Sequence, residues 1–226
     1  MPILYIVATP IGNLKDITLR ALEVLREVDF IICEDTRVTR KLLTHYQISK
    51  PLFSYHQYSK FTIYRKFKEM FKEGKNGALV SDAGTPGISD PGAHLVDFII
   101  RELAEVSLIA VPGPSALIAA ASVSGINMDK FLFLGFPPRK KGRQTFFKKI
   151  KESGAPVIIY ESPHRVEKTF NQLGDVLGEE KKIVVCRELT KIHEEIWRGA
   201  VSEAKTYFIG ERQRGEFVII IPYEKK

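Results

Sequence analysis

Apolar residues along this chain fall into short continuous blocks and three-to-four-residue periodicities, and the two kinds alternate. Residues 3–8 read as a strand buried on both faces, residues 30–33, 78–81 and 107–111 as further strands, with a shorter one at 52–55. Between them, Leu19, Leu22, Leu25 and Val28 line one face of a helix over 18–28. Further helices are predicted from Thr36 through Tyr46, in a basic stretch that Gly74 would end, from Ala93 to about Ala104, and in the small-residue run 116–122. After Gly125-Ile126-Asn127-Met128-Asp129 the alternation restarts. Strands are expected at 131–135, 157–160, 183–186 and 215–221, helices at 143–152, 166–177 and 202–208, and an antiparallel addition at 194–198. The pattern predicts two α/β domains, residues 1–124 and 125–226, with a cleft between them.

The loops after the predicted strands are unusual in composition. Between Asp82 and Gly92 there are three glycines, two prolines and two aspartates in eleven residues. Glycine admits positive φ and close approach of a ligand to the backbone, and proline stiffens what surrounds it. A loop that is both open and rigid suits a polar small molecule. Thr9-Pro10-Ile11-Gly12-Asn13, ending in a candidate helix cap at Asp16, is a second such loop, and Pro112-Gly113-Pro114-Ser115 a third. In an open α/β sheet the carboxyl edge that carries them is where ligands bind. Neither G-x-G-x-x-G nor G-x-x-x-x-G-K-[ST] occurs, which disfavours a dinucleotide or a triphosphate.

Composition adds class and partner. With 44% hydrophobic and 27% charged residues, the 226-residue chain reads as globular, and no apolar run approaches the roughly 18 residues of a membrane helix. Met1-Pro2-Ile3 leads straight into a strand, without a basic flank and cleavage site, so a cytoplasmic protein without membrane contact is expected. Cys33 and Cys186, far apart and outside any metal-ligand spacing, predict buried thiols, no disulfide and no structural metal. A net charge of +7 makes an anionic partner plausible, nucleic acid being the commonest large one. Lys60, Arg65, Lys66, Lys68 and Lys72 fall at helical spacing with Phe61, Tyr64 and Phe67 on the other face, the pattern of a solvated helix. Pro137-Pro138-Arg139-Lys140-Lys141-Gly142-Arg143-Gln144 instead lies in a proline-flanked loop suited to a phosphate backbone.

Seven stretches then stand in order: Ala8-Thr9-Pro10-Ile11-Gly12-Asn13-Leu14; Glu34-Asp35-Thr36-Arg37; the loop 79–92; Val111-Pro112-Gly113-Pro114-Ser115-Ala116; Tyr160-Glu161-Ser162-Pro163-His164-Arg165; Arg187-Glu188-Leu189-Thr190-Lys191; and Gly215-Glu216-Phe217-Val218. At these residues the chain resembles the tetrapyrrole-methylase superfamily of S-adenosylmethionine-dependent enzymes, the class III methyltransferases. Within it the likeness is to members that methylate the 2′-hydroxyl of a cytidine in the decoding region of small-subunit (16S) ribosomal RNA. The resemblance runs from Tyr5 to Ile221. It implies a two-lobed αβα fold, a homodimer, and S-adenosyl-L-methionine folded into the cleft between lobes. It further implies that Gly84, Thr85, Pro86, Gly87 and Ile88 sit against the methionine part, with Ser115 and Ala116 nearby and Pro10, Gly12, Asp82, Pro112 and Gly113 around them. Phe136 or Tyr160, and the Glu216-Phe217 pair, would close over the adenosine. Some members carry an additional helical C-terminal segment; without one, residues 139–143 would carry more of the RNA grip.

The chemistry can be stated independently. Methyl transfer from a sulfonium to a hydroxyl is an in-line displacement, so the site must align three atoms and exclude water. A ribose hydroxyl also needs its proton taken or polarised. Glu34 and Asp35, adjacent at a strand end, and Glu161, after a strand of the other domain, are the candidates, since like charges held together raise one carboxylate's proton affinity. Arg37 and Arg165 are candidates for RNA phosphate, with Arg139, Lys140, Lys141, Arg143 and His164 on the same substrate side. Structural alternatives stand beside each: Asp35 or Thr36 as a helix cap, Arg37 paired with Glu34, His164 as a satisfied loop histidine, Arg165 with Glu188 as an ion pair between domains, Asp82 and Asp90 as organisers of the loop. Two other function classes remain open, a tetrapyrrole methylase and a noncatalytic RNA-binding assembly factor. RNA binding should weaken steeply with salt, whereas macrocycle binding should barely respond.

Overall fold

The computed structural model describes residues 1–56 and 61–223, so Lys60 of the basic helix lies outside the described residues. Two compact units emerge, Met1–Ser115 and Ala116–Lys226. The sequence placed the boundary after residue 124; the helix that follows Ser115 packs against the last strand and so goes with the second unit.

The first unit is a five-stranded, all-parallel sheet. Its strands β1 (Ile3–Val7), β2 (Phe30–Cys33), β3 (Leu52–Ser54), β4 (Gly77–Val80) and β5 (Ser107–Val111) lie in the order β3-β2-β4-β1-β5. Helices α1 (Leu19–Glu27), α2 (Thr36–His45), α3 (Phe61–Lys72) and α4 (Gly92–Glu102) connect them. Successive strand residues point to opposite faces. Val7, Ile31, Ala78 and Val80 pack with Leu25, Leu42 and Leu43 on one face, while Leu4, Phe30, Ile32 and Leu79 pack with Phe67, Phe71, Leu95 and Ile99 on the other. Both faces of β2 and β4 are covered, which is why those strands are continuously apolar, whereas the edge strand β5 leaves Leu108 and Ala110 exposed. Val7 stands beside both Val80 and Val111, so β1, β4 and β5 end level and their loops leave at one edge.

The cap of α1 is Thr18, whose hydroxyl accepts from the Ala21 N–H at 3.1 Å. Asp16, the expected cap, instead closes a single 3-10 turn, Leu14–Asp16, begun by the Asn13 side chain. The intervening Ile17 is buried in the core, which moves the helix start two residues on.

The second unit contains α5 (Ala116–Val123), β6 (Leu132–Gly135), α6 (Arg143–Glu152), β7 (Val157–Glu161), α7 (Val166–Leu177), β8 (Lys182–Arg187), β9 (Glu195–Ala200), α8 (Val201–Tyr207) and β10 (Phe217–Ile221). Its sheet runs β6-β7-β10-β8-β9, with only β6 and β7 parallel. Phe217 pairs with Glu161 on one side and Arg187 on the other, and Arg187 with Glu195. The segments that follow Glu161 and Arg187 and precede Phe217 therefore emerge at one edge.

Gly77 lies in buried β4 beside Phe30, and a Cβ there would stand 2.7 Å from the Phe30 ring, which is itself held by Phe53, Phe67 and Phe71. Gly77→Ala is expected to destabilise the protein by about 1–3 kcal/mol through overpacking. Urea unfolding would show an earlier midpoint; an unchanged midpoint would mean that the ring cluster yields freely.

Candidate functional site

In the first unit the glycine-proline loop is fastened at four places. Thr9 and Gly84 exchange two backbone hydrogen bonds, of 2.9 and 3.0 Å, as an isolated antiparallel bridge between the β1 and β4 loops. The buried Thr9 hydroxyl donates to the Ser81 carbonyl at 3.0 Å, and the Ser81 hydroxyl donates to the Gly84 carbonyl at 3.0 Å. Thr85 donates its hydroxyl to the Pro114 carbonyl at 3.1 Å, joining the loop to the one after β5. Asp90 closes the loop on itself, accepting from the Gly87 N–H at 2.8 and 2.9 Å and from the Gly92 N–H at 2.7 Å. Gly84 and Gly87 have φ of +82° and +88°, the left-handed region that disfavours a side chain. At Gly84, which is buried, a Cβ would meet an Ile11 methyl at 3.4 Å and the Pro114 carbonyl at 3.8 Å, so this backbone packs between the β1 and β5 loops, while Ile88 farther along is exposed. Pro10 and Gly12 lie in the β1 loop, with Gly12 exposed; Pro112 and Gly113 are exposed in the β5 loop.

The neighbouring β2 loop separates two adjacent carboxylates. Asp35 caps α2, accepting from the Arg37 N–H at 2.8 Å, and forms a forked ion pair with the Arg37 guanidinium at 2.6 Å. These bonds hold its carboxyl down at about 2. Asp82 accepts from the Asp35 N–H at 3.0 Å and so ties the β2 loop to the β4 loop. Arg37 is therefore Asp35's partner, and among the described residues Glu34 Oε1 is buried without a hydrogen bond. Burial first, then the charges of Asp90 and Asp82, push the Glu34 carboxyl up to about 7. The expected like-charge effect is present, but it comes from the glycine-proline loop and not from Asp35. Carboxyls driven apart in this way divide acid-base roles, and only Glu34 exchanges a proton near neutrality. The loop edge thus offers exposed positions at Asp82, Ala83 and Ile88, a negative field suited to a compact cation, and one proton acceptor.

In the second unit the expected site residues separate. Glu161 is 1% exposed and Arg143 4%. Glu161 is bonded by the Ser162 N–H, the Thr169 hydroxyl and the Arg165 guanidinium, so its oxygens are committed and it is no free proton acceptor. Arg143, expected on the substrate side, is buried against Thr169, Gln172 and the Pro138 carbonyl. Burial lowers the proton affinity of its guanidinium. Arg139, Lys140 and Lys141 are exposed and, with Lys168 and Gln144, line an open depression of about 410 Å³. His164 is exposed. Phe136 is 48% exposed and meets Tyr160 edge-on at 5.5 Å, leaving an aromatic surface. Phe217 is a core residue, 2% exposed and 5.6 Å from the Phe208 ring, so its side chain faces no ligand. Glu216 is exposed and paired with Lys191 at 2.8 Å.

Lys191, Thr169 and Gln172 carried no assigned role in the sequence. Lys191 also holds Glu188, whose carboxyl accepts from the Glu216 N–H. Glu188 and Thr190 have φ of +52° and +64°, a strained turn for two residues that are not glycine. The alternative of an Arg165–Glu188 pair between domains is not met: both residues lie in the second unit, where Arg165 goes to Glu161 and Glu188 to Lys191. Among the described residues no group of three His, Cys, Asp or Glu is arranged to hold a metal ion, and no helix is long and apolar enough to cross a membrane.

The sequence profile of the Tetrapyrrole (Corrin/Porphyrin) Methylases matches residues 3–205. The chain belongs to this family. Proteins named ribosomal RNA small subunit methyltransferase I are similar over nearly the whole chain. The one from Synechocystis sp. is 46% identical, covering 98% of this chain and 79% of its own length; the one from Thermotoga maritima is 45% identical, covering 96% and 97%. The Bacillus subtilis protein of that name is 43% identical, covering 98% and 75%. Two solved structures share the fold at low identity. Uroporphyrin-III-C-methyltransferase from Thermus thermophilus superposes with a TM-score of 0.68 at 15% identity, covering 98% of this chain and 94% of its own. Cobalt precorrin-4 methyltransferase superposes with 0.71 at 18%, covering 97% and 94%.

The raised Glu34 carboxyl has a consequence for stability in this methylase-family chain. Between the ordinary carboxylate range and about pH 7 the folded chain keeps a proton there that the unfolded chain releases, so stability falls as pH rises through that window. Glu34→Gln is expected to match the parent at the acid end and to exceed it at pH 8 in urea unfolding. Parallel pH profiles for the two proteins would contradict this.

Proposed function

We propose that this chain is an S-adenosylmethionine-dependent methyltransferase acting on the 2′-hydroxyl of a cytidine in small-subunit ribosomal RNA, with Glu34 as the proton acceptor. Glu34 is the observation that carries the chemistry: a buried carboxylate oxygen without a partner, with a proton affinity near neutrality. A general base works best when its pKa lies near the working pH. Bound S-adenosylmethionine supplies an electrophilic methyl group on a positively charged sulfur. The negative field of Glu34, Asp82 and Asp90, beside the exposed Ile88 and Ser89 of the same loop, fits a cationic ligand. Gly84, Thr85, Pro86, Gly87 and Ile88, with Ser115, would hold its methionine half, and the stiffness of the loop would fix the methyl group's direction. Transfer of the methyl group would break its bond to sulfur, which would keep the electron pair and leave as a neutral thioether, and the Glu34 carboxylate would take the hydroxyl proton.

The whole-length likeness to relatives named for small-subunit ribosomal RNA supports the substrate, and the exposed run Arg139-Lys140-Lys141 supports a grip on its phosphates. Arg37, with its side chain 86% exposed, is a further phosphate contact, as is His164. The family description and the titles of the two structural neighbours favour macrocycle methylation as a second reading. Labelled methyl transfer to small ribosomal subunits that lack the modification, followed by nuclease mapping, separates the two. Label on a base, or none on RNA, would overturn the proposal.

With subunits and cofactor saturating, the single-turnover rate is expected to rise with pH through about 7 as Glu34 loses its proton. Glu34→Gln should lower that rate by roughly 10²–10⁴-fold and flatten the profile; an undiminished rate would remove the role. Replacing Arg139, Lys140 and Lys141 together by alanine should reduce the slope of log affinity against log salt by about 0.7 for each phosphate that is no longer neutralised. A slope equal to the parent's would place the RNA elsewhere on the protein.

A further inference from the structure

We propose that Glu161 is a positioning residue: through Arg143 and Arg165 it fixes the loop from Phe136 to Lys141 in the shape that meets RNA. The inference rests on the reading that Arg139, Lys140 and Lys141 grip RNA phosphate. Pro137 and Pro138 have no N–H, so these two residues cannot anchor themselves through backbone donors of their own. Its handles are carbonyls, and both are taken. Arg165 Nη1 donates to the Pro137 carbonyl at 2.8 Å, and Arg143 Nη1 to the Pro138 carbonyl at 3.1 Å. These are the two residues that directly precede Arg139-Lys140-Lys141. Among the described residues none of those three cations has a carboxylate partner, so their mutual repulsion has to be resisted from outside the loop.

The resistance converges on one carboxylate. Glu161 Oε1 accepts from the Ser162 N–H at 2.8 Å and is ion-paired with Arg165 Nη2 at 2.8 Å; Oε2 accepts from the Thr169 hydroxyl at 2.6 Å, with Arg143 Nη1 at 3.9 Å. Thr169 in turn accepts from Arg143 Nη2 at 2.7 Å, and Ser162 Oγ from Arg165 Nε at 3.0 Å. Gln172 takes the remaining Arg143 Nε. Each guanidinium thus spans from the buried carboxylate region to one proline carbonyl. Neutralising Glu161 would leave two guanidinium groups inside the unit without their counter-charge, and their hold on the carbonyls would loosen.

The test uses Glu161→Gln, which keeps the shape and removes the charge, and Thr169→Val, which removes only the shared hydroxyl. Amide hydrogen exchange in the full chain should accelerate about tenfold or more over residues 139–143, while β7 and β10 stay as protected as in the parent. In methylation assays KM for the small subunit should rise about tenfold, with kcat within about threefold and its pH profile unmoved. Should Glu161→Gln lose its far-ultraviolet signal, Thr169→Val carries the test, with smaller changes in the same direction. Unchanged exchange over 139–143 would overturn the proposal. So would a kcat loss of a hundredfold or more at constant KM, because Glu161 would then belong to the chemistry. If the parent itself methylates no RNA, the underlying reading fails, and the exchange result alone decides whether Glu161 holds the loop.

Discussion

The two backbone hydrogen bonds between Thr9 and Gly84 are the constraint on which the first unit's site depends. β1 and β4 are parallel neighbours, and parallel strands would ordinarily let their following loops diverge. The bridge reverses this locally, so that the β4 loop turns back beside the β1 loop, and Gly84 can make that turn because its φ is positive. From there Thr85 reaches Pro114 and Asp90 folds over Gly87 and Gly92. A long loop that would otherwise sample many shapes is reduced to one. Preorganised backbone of this kind lets a site orient a ligand without ordering itself during the reaction.

The same loop sets the electrostatics. Asp82 and Asp90 are both hydrogen-bonded to backbone N–H groups and serve as architecture, yet their charges act on Glu34. Asp35, one residue away, escapes this field because Arg37 and the start of α2 compensate it. Structure-holding carboxylates thereby tune a neighbouring one that holds nothing. The division of labour depends less on which acidic residues are present than on which of them find donors.

The second unit handles charge in the opposite way. Its carboxylate, Glu161, is buried deeper than Glu34, but every oxygen is bonded and two arginines flank it. In a buried ion cluster desolvation offsets much of the Coulomb attraction, and the role proposed for this one is to specify a conformation. Here the conformation specified is that of a proline pair with no donors of its own.

Strand and helix positions in this chain could be read from periodicity alone, because both sheets bury long apolar side chains and α6 and α7 carry clear apolar faces. The glycine-proline loop was equally readable, since its residue types admit few other backbones, and the ordered stretches along the chain already pointed to the methylase family. Partner choice was not readable. Nothing in the run Glu34-Asp35-Thr36-Arg37 says that the arginine turns to Asp35, nor in Tyr160-Glu161-Ser162-Pro163-His164-Arg165 that Glu161 is sealed inside. Arg143 looks like its basic neighbours until α6 and α7 come together around it. Local sequence constrains φ, ψ and burial pattern, which are short-range. Proton affinity and charge pairing depend on atoms that are far apart in sequence and come together only when the chain packs, and that is how Glu34, rather than Asp35 or Glu161, is left with a free buried oxygen.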